Sequence, residues 1–421
     1  MLDFSIVLVF LSLTVNGISP VAGSLSSSSS NSTQVRPTAE VYSPLIAQKV
    51  LVTAQNNTGD YPWYTDSEIG KWNWFVPNNW ISGFLPATLF KLNTRSKKCR
   101  STQIHGVDYR ALGNQWTPEI VPLEIMSSVG VDIGFLSYPL QEQLLLNPHD
   151  KAAIHGINTF AAHYADRFNP IVGCTRSLDT TDAVGFIPDF EVIIDNMKTL
   201  QLLFASADLT NNQTLRDIAI SHADKTMLNH FRPDGSTFHV VEYNHTTGAV
   251  IRKRTSFGFA DNSTWTRGQS WAIHGFADMY LYTKYPRYLE TARRAAAYYL
   301  SHLPSNGVPP WDFNAPSSPT PPFDTSSSTA AASGLLLLSR LESSLTPANI
   351  TGAKFYSDAA IKLLNDAVKV AWKPEWHSIL SNGTSNNRLS PPINSTGIIY
   401  GDYFFVKAGN DLLDMGLAAC N

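Results

Sequence analysis

Beyond residue 40, stretches with apolar residues at three- and four-residue spacing alternate with loops rich in Pro, Gly and Asn. The pattern predicts eleven helices, over 44–54, 80–91, 119–128, 151–167, 190–207, 213–230, 268–283, 288–303, 325–341, 352–370 and 398–416. One stretch alternates with period two instead. Residues 237–243 and 249–255, joined by the polar run Asn244-His-Thr-Thr-Gly248, predict a β-hairpin. The Pro-rich stretch 304–322 could pass for a linker, but it holds Trp311, Asp312 and Phe313, which suit a packed loop. No composition break divides the chain. Eleven or twelve helices in one body predict an all-α fold of helical hairpins set in a ring, with loops at one end building a site.

The N-terminus departs from this pattern. Residues 6–15 form an apolar run too short to span a bilayer, followed by the small residues Val21-Ala22-Gly23. Residues 1–23 are expected to be a signal peptide, although no Lys or Arg precedes the apolar run; an uncleaved anchor is the alternative. Residues 24–40 read as a Ser-rich flexible leader and 41–421 as the catalytic domain. Eight N-x-[ST] sequons, at Asn31, Asn56, Asn212, Asn244, Asn262, Asn349, Asn382 and Asn394, fit a secreted, extracellular glycoprotein.

Charged residues make up only 15% of the chain, against a usual quarter, and hydrophobic residues 43%, which excludes disorder and a coiled coil. The net charge is −3 with no basic run, so neither nucleic acid nor a membrane is expected as partner. Three cysteines, Cys99, Cys174 and Cys420, leave at least one thiol outside any intrachain pair. No metal-binding motif occurs, and no metal or cofactor is expected.

Four constellations carry candidate chemistry. Asp132 lies in Val131-Asp-Ile-Gly-Phe135, an acid between apolar residues that suits either a carboxylate held at a core or a helix cap. Asp195 lies in the apolar run 190–203, read as a helix, where burial should raise its pKa as a general acid requires; a hydrogen-bonded structural Asp is the alternative. Asp189 and Glu191 would then mark that helix's first turn. Arg267 and Trp271, four apart, share a helix face that could offer a guanidinium to a carboxylate and an indole to a sugar ring, or form an ion pair beside a core tryptophan. Finally Trp63, Trp72, Trp74 and Trp80, with Tyr64, cluster within eighteen residues, as a sugar platform or as packing.

Together these pieces resemble the unsaturated glucuronyl hydrolases, glycoside hydrolase family 88. The matching motifs are Trp80-Ile-Ser-Gly-Phe84, Asp132-x-Gly-Phe135, Asp195-Asn-Met197, His239-Val240 with Thr247-Gly248, and Ser263-Thr-Trp-x-Arg-Gly-Gln-x-Trp271. Further matches are Pro310-Trp-Asp-Phe313, the run from Ser326 to Leu335, and Ile399-Tyr-Gly-Asp-Tyr-Phe404. The resemblance implies an (α/α)6 barrel and a hydrolase that hydrates the C4=C5 enol ether of an unsaturated uronate at the non-reducing end of an oligosaccharide, with water as second substrate. It implies Asp195 as proton donor and base and Asp132 as second carboxylate. It implies His239, Thr255, Arg267 and Trp271 as substrate contacts around the uronate and Trp80 as a stacking residue at the mouth; a structural role for His239 is the alternative.

Departures fall at Val131, where the family often has His, at Ser256-Phe257, where it often has His-Gln, and at 394–397, where Asp-Thr-Ser is common. These leave the aglycone open. Rival expectations are an unsaturated rhamnogalacturonyl hydrolase, whose relatives share the W-x-R-G-Q-x-W piece, a carbohydrate-binding relative without catalysis, and a hydrolase of saturated α-sugars.

Overall fold

The computed structural model describes residues 35–420, apart from 57–58, 101–103, 127 and 180–188. The expected signal peptide, most of the Ser-rich leader and the Asn31 sequon lie outside these residues. Residues 35–40 do not form a leader. Val35 packs on the core, and Thr38 N donates to Asn365 Oδ1 at 2.9 Å, so the folded body begins before residue 41.

Twelve helices of eight or more residues are present among the described residues. They are α1 (Pro44–Gln55), α2 (Phe84–Lys98), α3 (Tyr109–Trp116), α4 (Tyr138–Leu146), α5 (Lys151–Ala165), α6 (Gln201–Thr210), α7 (Gln213–Asn229), α8 (Thr266–Thr283), α9 (Pro286–Ser301), α10 (Thr325–Ser343), α11 (Ile350–Ala371) and α12 (Ile399–Asp414). The even-numbered helices form an inner ring, in which α8 packs on α10, α10 on α12, α12 on α2 and α2 on α4. The single-turn helices Ile133–Leu136 and Asn196–Thr199 close the ring between α4 and α8. Each odd-numbered helix from α3 onward packs outside a neighbour in this ring, which is the expected barrel of six helical hairpins. Position sets composition. The inner α10 buries Ala, Ser and Leu on every side, whereas the outer α9 is amphipathic.

The inner helices start at one end of the barrel, where Phe84, Phe135, Trp271, Tyr400 and Phe404 meet in tilted ring contacts. Further along them lie the ion pairs Lys91–Glu142 and Lys198–Asp278, each at 2.8 Å, and Arg95 marks the other end. There Arg95 donates to Val41 O, Val406 O and Asn410 Oδ1.

Small sheets frame the first end. Strands β1 (Tyr61–Thr65) and β2 (Trp72–Phe75) pair with each other, as do β3 (Phe168–Asn169) and β4 (Cys174–Thr175). The third sheet joins β5 (Phe190–Ile193) to the hairpin of β6 (Val240–Tyr243) and β7 (Val250–Arg254), all antiparallel. The hairpin was expected; β5 replaces an expected helix start. Glu191 lies on that strand in an ion pair with Arg254, and Asp189 pairs with His245, so neither serves a helix dipole. The 304–322 stretch is packed, with Trp311 and Asp312 buried and bridges from Asp312 to Trp265 and from Pro310 to Phe323.

Candidate active site

Asp195 follows directly on β5, whose pairing continues through Ile194 N to His239 O at 2.9 Å. It then starts the helical turn Asn196–Thr199. Asp132 ends the 3-10 turn Gly130–Asp132, which leads straight into the turn Ile133–Leu136. Two features hold these turns together. Gly134 lies where a Cβ would overlap the side chain of Thr199, so only glycine permits this approach. Ser177 is the second. Its carbonyl accepts from Val131 N at 2.9 Å, while its hydroxyl accepts from Ile193 N and donates to Asn196 Oδ1, both at 2.8 Å. One buried serine thus ties both carboxylate-bearing segments.

Their electrostatics follow from this placement. Burial pushes Asp195 up to about 7, opposed by the Arg267 charge and by the Trp271 indole N–H. Asp132 is also held well above the usual carboxylate range, by burial and then by the charge of Asp195, with Arg167 opposing. The charge of Asp195 thus acts directly on the ionisation of Asp132.

His239 Nε2 lies 3.6 Å from Asp195 Oδ2. Its Nδ1 lies 3.1 Å from the backbone N–H of Ser256, which can only donate, so Nδ1 is the acceptor. Burial, with Arg254 and Arg267 nearby, holds the imidazole well below its ordinary pKa. The neutral ring therefore carries its proton on Nε2 and points it at Asp195. Phe257 and Trp265 flank the ring, with centroids at 5.0 and 4.5 Å. Asp195 Oδ2, His239 Nε2 and Trp271 Nε1 are all buried with no hydrogen-bond partner, a carboxylate oxygen and two donors poised together.

The other expected site residues divide by exposure. Trp80 is half-buried, packed against Trp63, Phe135 and Tyr400 with part of its ring free. Trp271 is only 1% exposed, so no sugar ring can stack on it; what it presents to the site is its indole N–H. Arg267 is equally enclosed. Its Nη1 donates to Asp324 Oδ2 at 2.7 Å and to Thr384 O at 2.5 Å, and its Nη2 to Ser385 O at 2.8 Å. These partners are those of a structural ion pair, in place of the substrate carboxylate expected. Thr255 is buried too, its hydroxyl accepting from Gly258 N at 2.7 Å and lying 3.3 Å from His239 Nδ1.

Three contributors escaped the sequence reading. Ser177 carries no local signal, because its partners are distant in the chain. Asp324 stands directly before a Ser-rich helix, a capping pattern that could have marked it. Arg388 is exposed above the site and donates to Thr255 O at 3.1 Å.

No family model matches the chain. It is 34% identical to the unsaturated glucuronyl hydrolase of Formosa agariphila, over 79% of this chain and 80% of that protein. It is 26% identical to the unsaturated chondroitin disaccharide hydrolase of Streptococcus pyogenes, over 66% of this chain and 68% of the relative. Among solved structures, an unsaturated glucuronyl hydrolase specific for heparin superposes with a TM-score of 0.79 at 26% identity, covering 90% of this chain and 97% of that one. The unsaturated glucuronyl hydrolase of Bacillus sp. GL1 gives 0.78 at 25%, covering 89% and 97%. A third of the residues shared across four fifths of a relative, on a matching twelve-helix ring, leave one conclusion: the chain belongs to the unsaturated glucuronyl hydrolases, a group of glycoside hydrolases.

Proposed function

We propose that this protein releases a 4,5-unsaturated uronic acid from the non-reducing end of lyase-generated oligosaccharides by hydrating the C4=C5 bond. The observation that carries this reading is a buried carboxyl, Asp195, poised near neutrality beside a second carboxyl and a neutral histidine donor. An enol ether needs a proton at C4 before water can add at C5. An acid with a pKa near 7 is both present as acid and basic enough to recover a proton afterwards. Protonated Asp195 donates to C4, and positive charge develops at C5 and the ring oxygen. The Asp195 carboxylate then takes a proton from the water that adds at C5. The resulting hemiketal opens and expels the aglycone. Asp132, the second carboxyl, lies beside the donor, where it positions the substrate. His239 Nε2–H, 3.6 Å from Asp195 Oδ2, and the unpaired Trp271 N–H are the donors placed to receive the Asp195 carboxylate as it forms. The half-buried Trp80 is the ring suited to stack on sugar. The spacing rule for direct attack at the anomeric carbon does not apply to this chemistry.

The test follows the ultraviolet absorbance of the conjugated uronate in two substrates, unsaturated glucuronyl-hexosamine and unsaturated galacturonyl-rhamnose. Loss of signal on the first is expected. Loss only on the second would move the activity to pectin fragments. No loss on either, with the protein folded, would overturn the reading.

The proposal extends to secretion. The N-terminal apolar run and the Cys99–Cys420 disulfide both suit an oxidising compartment. N-terminal sequencing of the exported protein should begin just after residue 23; an intact N-terminus on intracellular protein would overturn it.

A further inference from the structure

A buried ion pair near Asp195 has no part in the steps above. Arg267 and Asp324 are 2% and 0% exposed, and their charges meet at 2.7 Å. The guanidinium lies over the faces of Trp265 and Tyr400, at 4.6 and 5.2 Å from the ring centres. Asp324 is fully used. Oδ2 holds Arg267, and Oδ1 accepts from Ser326 N at 3.1 Å, from Ser326 Oγ at 2.5 Å and from Thr384 N at 3.3 Å. One carboxylate therefore caps α10, fixes Thr384 and anchors the guanidinium whose own donors hold Thr384 and Ser385. A purely structural pair needs no titrating group beside it. This one is in contact with the site: the Trp265 ring under the guanidinium packs at 4.5 Å on the ring of His239, whose Nε2 lies 3.6 Å from Asp195 Oδ2, and the Arg267 charge acts on that carboxyl.

We propose that Asp324 is a positioning residue for the proton donor: by clamping Arg267 and neutralising much of its charge, it fixes the electrostatic environment that Asp195 meets. The inference rests on the function proposed above only for its kinetic readout. The groups facing Asp195 are Asp132, His239, Arg267 and the Trp271 N–H, and those facing Arg267 are Asp324 and Tyr400. Burial pushes the Tyr400 hydroxyl up to about 12, so it stays neutral in the working range. His239 is neutral there as well, which leaves the two carboxylates and Arg267 to set the balance.

Asp324→Asn keeps an oxygen for the helix cap but turns an amide donor on Arg267, which cannot pair with it. The unneutralised guanidinium should lower the titration of Asp195 by about one pH unit. Arg267→Gln removes the cation and should move that titration upward. Selective carboxyl ¹³C labelling, with the Asp195 signal assigned by its loss in Asp195→Asn, reads both shifts without any turnover. On an unsaturated disaccharide, the alkaline limb of kcat should move in the same opposite directions. An unmoved titration in either folded variant, a shift of the same sign in both, or failure of both to fold would overturn the proposal and leave the pair to stability alone. A wild type inactive on every unsaturated substrate would overturn the proposed function, while the carboxyl titration would still decide the clamp.

Discussion

A carboxyl kept near pKa 7 inside a barrel costs stability, and the sign of that cost can be followed. Asp195 binds its proton more tightly folded than unfolded, so stability falls as pH rises from about 4 through 7 and is level above. At about 1.4 kcal/mol per pH unit, the burden reaches on the order of 4 kcal/mol by pH 8. Asp195→Asn removes the ionisable group together with the proton donor. It should cut turnover by at least ~100-fold while substrate still binds. Its melting temperature should exceed the wild type's at pH 8 and match it near pH 4. Turnover within tenfold of wild type, or a stability difference independent of pH, would return Asp195 to a structural role. The two tryptophans named from the sequence should separate in the same way. Trp271→Ala empties a fully buried site and should cost about 3–5 kcal/mol. Trp80→Ala should leave the melting temperature within a few degrees and raise KM several-fold. Equal thermal losses in the two variants would contradict this division. Sequence reading placed both in the site but could not tell an indole that faces sugar from one that faces a carboxylate, because exposure is decided by contacts with Phe135 and Phe404 from other helices.

At the scale of elements, the catalytic pair depends on two short turns that neither propensity nor periodicity would hold in register. Ser177→Ala should show how strongly. It strands Ile193 N–H and Asn196 Oδ1 without their partner in a buried place, a loss of about 1–3 kcal/mol. Because the same residue's carbonyl holds the Asp132 turn, kcat should fall further than the folded fraction does, with KM changed less. A kcat that tracks the folded fraction alone would show that the carboxylates stay in place without it. The long helices were legible in the sequence because each carries an apolar stripe over several turns. The segment 190–207 was misread as one helix because β5 is buried on both faces, which removes the alternation that marks a strand. Helices α3 and α4 were missed because they are short, at eight and nine residues, and α4 is apolar on most sides. The motif glycine Gly134 was visible as a pattern, but its reason, contact with Thr199, lies in another element.

The whole molecule divides its work between the two ends of the barrel. Inner helices begin where the carboxylates, His239 and the Arg267–Asp324 clamp gather. They end where residues 36–45 lie beside 416–419. A loop without regular structure is fixed at the first end by buried charge. Lys49 Nζ donates to the carbonyls of Lys373, Trp376 and Ser378, and Asp402 accepts from Ile379 N and Leu380 N. At the far end Cys99, just past α2, pairs with Cys420, their Cα atoms 5.4 Å apart across 321 residues of sequence. The third thiol, Cys174, is buried and free, which settles the odd cysteine of the sequence. Closing so long a loop restricts the unfolded chain and should contribute about 3–5 kcal/mol. Because the bond lies a full helix length from Phe84 and the catalytic end, Cys420→Ser should lower the melting temperature by on the order of 5–10 °C. Its kcat and KM at 25 °C should stay unchanged, and reductant should shift the wild type toward the variant while leaving the variant unmoved. A variant that lost activity in proportion to stability would show instead that the two ends are mechanically coupled, and that the clamp at the catalytic end depends on the staple at the other.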